Sequence, residues 1–242
     1  MIGWRARLGF LVPPGNPTVE AEMAVLAPAG VTLHFHRMAA GGGVPGALDN
    51  QDARTRTMID GLDDSVALLA LVKPDIITIA HTATSYYLGR EREADLLARL
   101  TKASGVPVVT AFAAVAAALE RLGVKRLALG APYSAETTAQ GRAHLEAHGF
   151  TVVRSQNLPG VTNIYDETAE RAYRLARSID MPEAEAVFLS GTGMPTLSAL
   201  ESLEHDLQKP ALSSASAMMW HALRRCGVHQ PIPGYGRLLT LP

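Results

Sequence analysis

The chain has one cysteine, no run of basic residues and no long apolar stretch, and each scarcity excludes something. The lone Cys226 rules out an internal disulfide and any cysteine-built metal cluster. A net charge of −1 with dispersed Lys and Arg argues against nucleic acid, whose phosphates demand clustered cations. No apolar run reaches the roughly 18 to 20 residues of a membrane span, so no membrane partner is expected. Arg5 and Arg7 precede a short apolar run, but Gly9 and Pro13-Pro14 follow at once, which reads as a first strand and not as a secretory leader. The expected compartment is the cytoplasm. What is present is a globular composition: 48% hydrophobic and 19% charged residues over 242 positions, enough for a large core in one or two domains.

Two stretches read as one stretch written twice. Lys73-Pro-Asp-Ile-Ile-Thr-Ile-Ala-His-Thr-Ala-Thr84 and Glu183-Ala-Glu-Ala-Val-Phe-Leu-Ser-Gly-Thr-Gly-Met-Pro-Thr196 each carry an acidic residue, an apolar run and a small, hydroxyl-rich segment. Their flanks repeat as well: Gly105-Val-Pro-Val-Val-Thr follows the first and Gln208-Lys-Pro-Ala-Leu-Ser the second. A chain of two similar halves tends to hold its ligand between them.

Periodicity predicts alternating strands and helices. In the first half, strands are expected at 7–12, 31–38, 75–80 and 106–110, and helices at 18–27, 52–72, 91–104 and 113–122. In the second, strands are expected at 126–130, 151–158, 186–189 and 211–213, and helices at 134–148, 167–178, 197–207 and 217–226. Residues 41–46 read as a mobile loop. The fold class is α/β: two similar lobes, each a parallel sheet flanked by helices, related by pseudo-twofold symmetry. The first lobe is expected over 1–115 together with the C-terminal segment from about 215 to 242, and the second over 116–214. Such sheets place ligands beyond the carboxyl ends of their strands, and the candidate residues all follow a predicted strand.

Asn16 lies in a proline-rich loop before a helix and offers donor and acceptor, or simply caps the helix. His81, at the end of the 75–80 strand, is the one group there able to exchange protons near neutral pH, followed by Thr82 and Ala83. In the partner loop, Gly191, Thr192 and Gly193 allow close approach of a ligand to the backbone, or form a tight strand-to-helix turn. Tyr133 and Asn163 follow two further strands. Together these side chains suit a small carboxylate, since hydroxyls, amides and helix N-termini all stabilise anions. Gly41-Gly-Gly-Val-Pro-Gly46 fits G-x-G-x-x-G literally, but its proline and the lack of a helix at its third glycine discount a dinucleotide. His34 with His36, and His144 with His148, are chelate-spaced pairs without a visible third ligand, so no metal is expected.

These segments, in order, resemble the aspartate/glutamate racemase superfamily, in its maleate cis-trans isomerase and arylmalonate decarboxylase branch. The marks are Pro13-Pro-Gly-Asn16-Pro-Thr-Val-Glu, Ala80-His-Thr-Ala-Thr-Ser-Tyr-Tyr, Ala131-Pro-Tyr133, Gly160-Val-Thr-Asn163, Leu189-Ser-Gly-Thr-Gly and Pro233-Gly-Tyr-Gly-Arg237-Leu. The resemblance implies a cofactor-free site between the lobes and small carboxylate substrates. It implies two facing cysteines in isomerases and racemases, at the positions of His81 and Gly191, and in the decarboxylases a glycine at the first and a cysteine at the second. Both cysteines are absent here, and Cys226 matches neither position. The expected function is a cofactor-independent lyase or isomerase acting on a small (di)carboxylic acid through an enediolate-like intermediate. Its catalytic groups are His81 and Tyr133, and its binding groups Asn16, Thr82, Ala83, Asn163, Gly191, Thr192 and Gly193. The alternatives are a family member that binds a carboxylate without turnover, or a hydratase-like enzyme. A homo-oligomer, dimeric or higher, is the expected assembly.

Overall fold

Strands apolar on both faces cannot leave either face wet. In the computed structural model, which describes residues 2–242, they form two parallel sheets covered by helices. The first sheet holds β1 (Ala6–Val12), β2 (Val31–Arg37), β3 (Ile76–Ile79) and β4 (Val108–Thr110) in the order β2-β1-β3-β4. The second holds β5 (Arg126–Ala131), β6 (Thr151–Asn157), β7 (Ala186–Leu189) and β8 (Ala211–Ser213) in the order β6-β5-β7-β8. The two orders are the same permutation, so the written repeat is a structural one.

The repeat extends to single hydrogen bonds. Asp75 Oδ2 accepts from Arg7 N at 2.8 Å and Glu185 Oε2 accepts from Arg126 N at 3.0 Å, so the acidic residue before each central strand pins its entry to the neighbouring strand. At the exits, Ala80 N donates to Leu11 O and Ser190 N to Gly130 O, both at 2.8 Å. Residue 81 is therefore the structural counterpart of residue 191.

The helices are α1 (Thr18–Leu26), α2 (Gln51–Asp60), α3 (Leu62–Ala70), α4 (Thr82–Ser104), α5 (Ala111–Arg121), α6 (Ala135–Ala147), α7 (Ala169–Ile179), α8 (Leu197–Leu207) and α9 (Ser214–Arg225). Several expected helix bounds are corrected. The single helix expected over 52–72 is two, broken at Gly61. The helix expected from Glu91 begins at Thr82 and is interrupted at Gly89, which has non-helical φ 72° and ψ 169°. Residues 82–88 are hydroxyl-rich and weak helix formers, but burial of Thr82, Thr84 and Ser85 holds them in place. Helix α9 also starts early, from a capping box of Ser213 and Ser216, and packs on α5 and α1. Among the described residues no helix is long and apolar enough to cross a membrane.

A buried charge network fixes α4 beyond its kink. Glu93 Oε1 accepts from Ser85 Oγ at 2.6 Å and from Thr110 Oγ1, while Oε2 pairs with His144 Nε2 of α6 at 3.0 Å. Burial works to raise the Glu93 pKa, but the bonds from His144, Ser85 and Thr110 outweigh it and hold the carboxyl below its usual range. Removing Glu93 takes the shared buried acceptor from Ser85, Thr110 and His144 at once, so Glu93→Ala should cost about 3–5 kcal/mol. Glu170→Ala, which removes the exposed pair with Arg174, should cost about 0–1 kcal/mol. Urea unfolding of both variants checks this; equal losses would contradict the assigned role of Glu93.

Candidate active site

The carboxyl ends of β3 and β7 meet, and buried hydrogen bonds join them. Thr192 Oγ1 donates to Ala80 O at 2.8 Å, Asn16 Nδ2 to Thr192 O at 3.1 Å and Thr18 Oγ1 to Gly193 O at 2.7 Å. The Tyr86 and Ser190 hydroxyls lie 2.8 Å apart, and Thr82 Oγ1 donates to Ser214 Oγ at 3.0 Å. Glu22 of α1 caps α8, accepting from Thr196 N at 2.6 Å and Leu197 N at 2.9 Å. Every one of these groups is desolvated by the junction it makes, so each needs its partner.

A cavity lies at this junction. Asn16, His81, Tyr133, Thr192 and Gly193 line it, as do Gln51, Arg54, Met58, Ile164 and Tyr165. Its volume of about 40 Å³ is a few waters' worth, since one water needs about 10–15 Å³ on the same measure. That suits a small acid group, not a nucleotide.

His81 precedes the first turn of α4 with an extended backbone, φ −142° and ψ 99°. Its Nδ1 lies 3.0 Å from Thr84 Oγ1, which fixes the ring and leaves Nε2 as the ring nitrogen for a ligand. Burial, and then the charge of Arg54, lower its pKa to about 4, so the imidazole is neutral at neutral pH. Tyr133 is buried, and burial pushes its pKa well above the ordinary range, so its hydroxyl stays a donor. Gly191 has φ +96°, a conformation that side chains resist, and a Cβ there would lie 3.2 Å from the Tyr133 hydroxyl and from the Pro132 ring. The two counterpart positions have thus diverged: an imidazole on one side, and on the other a bare backbone covered by a phenol.

Of the remaining candidates, Asn16, Thr192 and Gly193 line the cavity, whereas Gly191, Thr82, Ala83 and Asn163 do not. Asn16 Oδ1 accepts from Thr18 N at 2.8 Å and Val19 N at 3.0 Å, so its side chain caps α1 as well as bridging to Thr192. Thr82 and Ala83 lie in the buried first turn of α4 and are not cavity walls. Asn163, expected in the pocket, accepts from Tyr165 N at 2.9 Å and donates to Pro45 O at 3.0 Å. It holds the wall rather than forming it. Cys226 ends α9; burial, and then the charge of Asp75, raise its pKa to about 11. Asp75 opens β3, so this thiol lies at the opposite end of the sheet from the cavity.

Among the cavity residues not expected from sequence are Gln51, Arg54 and Tyr165. The end of the 41–46 segment, read as a mobile loop, is clasped to the second lobe together with Ala47 and Leu48. Ala47 bridges Asn163, Leu48 N donates to Thr162 O at 3.2 Å, and Ile164 N donates to Gly46 O at 2.7 Å. This clasp puts α2 and the Tyr165 ring over the junction. The third ligand missing from the His144 and His148 pair is Glu93, with candidate ligand atoms within 4.8 Å of one another. Both Glu93 oxygens already hold protein donors, so the cluster as built is a charge network.

The sequence pattern of the arylmalonate decarboxylase family matches residues 8–239. The chain is 30% identical over 237 residues to the arylmalonate decarboxylase of Bordetella bronchiseptica, covering 96% of this chain and 95% of that protein. It is 29% identical over 240 residues to the maleate isomerase of Nocardia farcinica, with the same two shares. A solved structure of Nocardia farcinica maleate cis-trans isomerase, a cysteine-to-serine mutant with a covalently bound succinylcysteine intermediate, is similar at a TM-score of 0.87. The match is 27% identical and covers 97% of this chain and 98% of that one.

Two outcomes follow from the geometry. Gly191→Ala forces a side chain into a positive-φ position against Tyr133, and should cost more than about 1 kcal/mol; a neutral change in urea unfolding would contradict the packing. His81 has a folded pKa of about 4 against an ordinary 6.5, so between these values the unfolded chain binds more protons. Its contribution to stability is complete above about pH 6.5 and is lost as the pH falls toward about 4. His81→Asn should therefore gain stability relative to the unmutated protein as the pH is lowered through that window. A pH-independent difference between the two unfolding curves would refute a neutral, desolvated imidazole.

Proposed function

The chain belongs to the arylmalonate decarboxylase family, and on that premise we propose that it is a cofactor-independent isomerase or decarboxylase of small carboxylic acids that works without an active-site cysteine. The observation that supports this reading is that His81 lines the junction cavity, while its counterpart Gly191 stands behind Tyr133 and Pro132 and brings no side chain to it. A bound acid would meet the imidazole and, on the side of Gly191, the Tyr133 hydroxyl and the Thr192–Gly193 backbone, with Gln51, Arg54 and Tyr165 also lining the cavity. Tyr133 and the backbone N–H groups around Thr192 are donors that suit the two oxygens of a carboxylate as it becomes an enediolate. The division of the chain into 1–115 with about 215–242, and 116–214, is part of the same reading, and the packing of α9 on α5 and α1 supports it.

The chemistry written with these groups is single-faced. For a malonate, the C–C bond to one carboxylate breaks, CO₂ leaves, and the electron pair is held as an enediolate on the retained carboxylate. One proton is then added at the α-carbon. His81 is neutral in the free protein, but a bound anion beside it stabilises the imidazolium and raises its proton affinity. The imidazole then takes a proton from solvent, delivers it to the α-carbon and is neutral again. For a proton shift the same ring removes and returns a proton on its own face. Two-base racemisation and thiolate addition both lack a carrier at Gly191. That same lack favours the second reading, a family member that binds a small carboxylate without turnover.

Incubation in D₂O with succinate, methylmalonate and maleate, followed by proton NMR, separates the two. Turnover predicts α-deuteration, CO₂ release or conversion of maleate to its trans isomer. Loss of a general acid/base costs about 10²- to 10⁴-fold, so His81→Ala should fall by that much while Cys226→Ser is unchanged. Full activity in His81→Ala, or its loss in Cys226→Ser, would sink the imidazole mechanism. Binding of all three acids with no exchange, release or isomerisation would favour the second reading.

A further inference from the structure

Resting on the reading of the cavity as a carboxylate site, we propose that Arg54 is its specificity-determining residue and selects aliphatic acids that carry a second carboxylate. Arg54 stands on α2 and lines the cavity together with His81, Tyr133 and Thr192. Donors for one carboxylate are already present at Tyr133 and the Thr192 loop. A guanidinium on another wall of the same small cavity is an attachment point for another anionic group.

The state of Arg54 supports this. A guanidinium has five N–H donors. Arg54 uses one on Ala47 O and one on Asp49 O, through Nη2 and Nη1. Among the described residues no carboxylate pairs with it, whereas Arg56 on the same helix pairs with Asp60, and Arg37, Arg99 and Arg171 each have an acidic partner. A half-buried cation without a counter-ion is unfavourable until an anion arrives. Its charge reaches the reacting group: it is a cause of the lowered His81 pKa and acts on Tyr165 too. Gln51, three residues earlier and so on the same helix face, also lines the cavity, and its buried amide oxygen has no partner. An aryl or alkyl group placed on this wall would leave both residues unpaired. A carboxylate accepts from Arg54 in the bidentate geometry that guanidinium favours, and the Gln51 amide, turned about its bond, adds an N–H.

The test compares succinate with butyrate, acids of equal chain length that differ in one carboxylate, by titration calorimetry on the full chain at neutral pH. A charge-assisted hydrogen-bonded pair corresponds to about 10- to 100-fold in affinity, so succinate should bind tighter than butyrate by that factor. Arg54→Gln should bring succinate down to the butyrate level and leave butyrate unchanged. Arg54→Lys, which keeps the charge and loses the fork, should retain part of the preference. If Arg54 only secures the 47–49 backbone, Gln and Lys variants will weaken both acids alike, and the proposal fails. It fails also if the unmutated protein binds the two acids equally. Should butyrate bind, weaken in Tyr133→Phe and show no disadvantage against succinate, the carboxylate site stands and the role of Arg54 alone is overturned. Should neither acid bind, the carboxylate reading falls and takes this inference with it.

Discussion

The Thr192 hydroxyl donating to the Ala80 carbonyl is the contact on which the site depends. Ala80 precedes His81 and Thr192 follows Gly191, so this one bond sets how closely the two counterpart positions approach. The Asn16 and Thr18 bonds to Thr192 and Gly193 fix the second loop from below. The capping of α8 by Glu22 fixes the helix that follows it. These groups are buried, and an unpaired buried donor or acceptor costs about 1–3 kcal/mol. Sliding the lobes apart would leave several unpaired at once, which makes the junction a stiff element on which a small cavity keeps its shape.

The repeat supplies a symmetric frame, and the site departs from that symmetry. Both halves use an acidic residue to pin the strand entry and a backbone N–H to pin its exit. Past that point they diverge. On the first side Thr84 orients an imidazole. On the second, Tyr133 and Pro132 fill the space where a side chain at residue 191 would stand. A chain that merely lost a cysteine at Gly191 would leave a hole there. The close packing of Tyr133 against Gly191 instead makes the bare backbone part of a finished surface.

Much of this was legible in the sequence because buried parallel strands are short apolar runs bounded by Gly, Pro and small polar residues. The strands 186–189 and 211–213 and the helix 197–207 were read to the residue. The break at Gly61 was not legible, since one glycine inside a helical pattern is usually tolerated. The early start of α4 was hidden by residues whose helix propensity is weak and whose burial comes from the other lobe. Tertiary partners were the main loss. Asn163 looked like a pocket amide, but its donor bond goes to Pro45 O, 118 positions away. Arg54 falls inside the helix expected over 52–72, where nothing in the pattern marks it; only the clasp of 44–48 onto 162–164 turns it toward the junction.

Arg54 and His81 also constrain each other. In the free protein burial and the guanidinium charge act in the same direction, and both hold the imidazole neutral. A dicarboxylate entering the cavity brings two negative charges beside one positive one. On the proposed function those charges offset the guanidinium, and the proton affinity of His81 rises as the ligand binds. Binding and protonation are therefore linked: an acid that engages Arg54 arms the imidazole as a proton donor, while one that leaves Arg54 unpaired does so less. By linkage a protonated His81 in turn strengthens binding of the dianion. On the proposed reading, selectivity for a second carboxylate and the supply of a proton to one face of an enediolate both fall to the same pair of side chains, one on α2 and one at the end of β3.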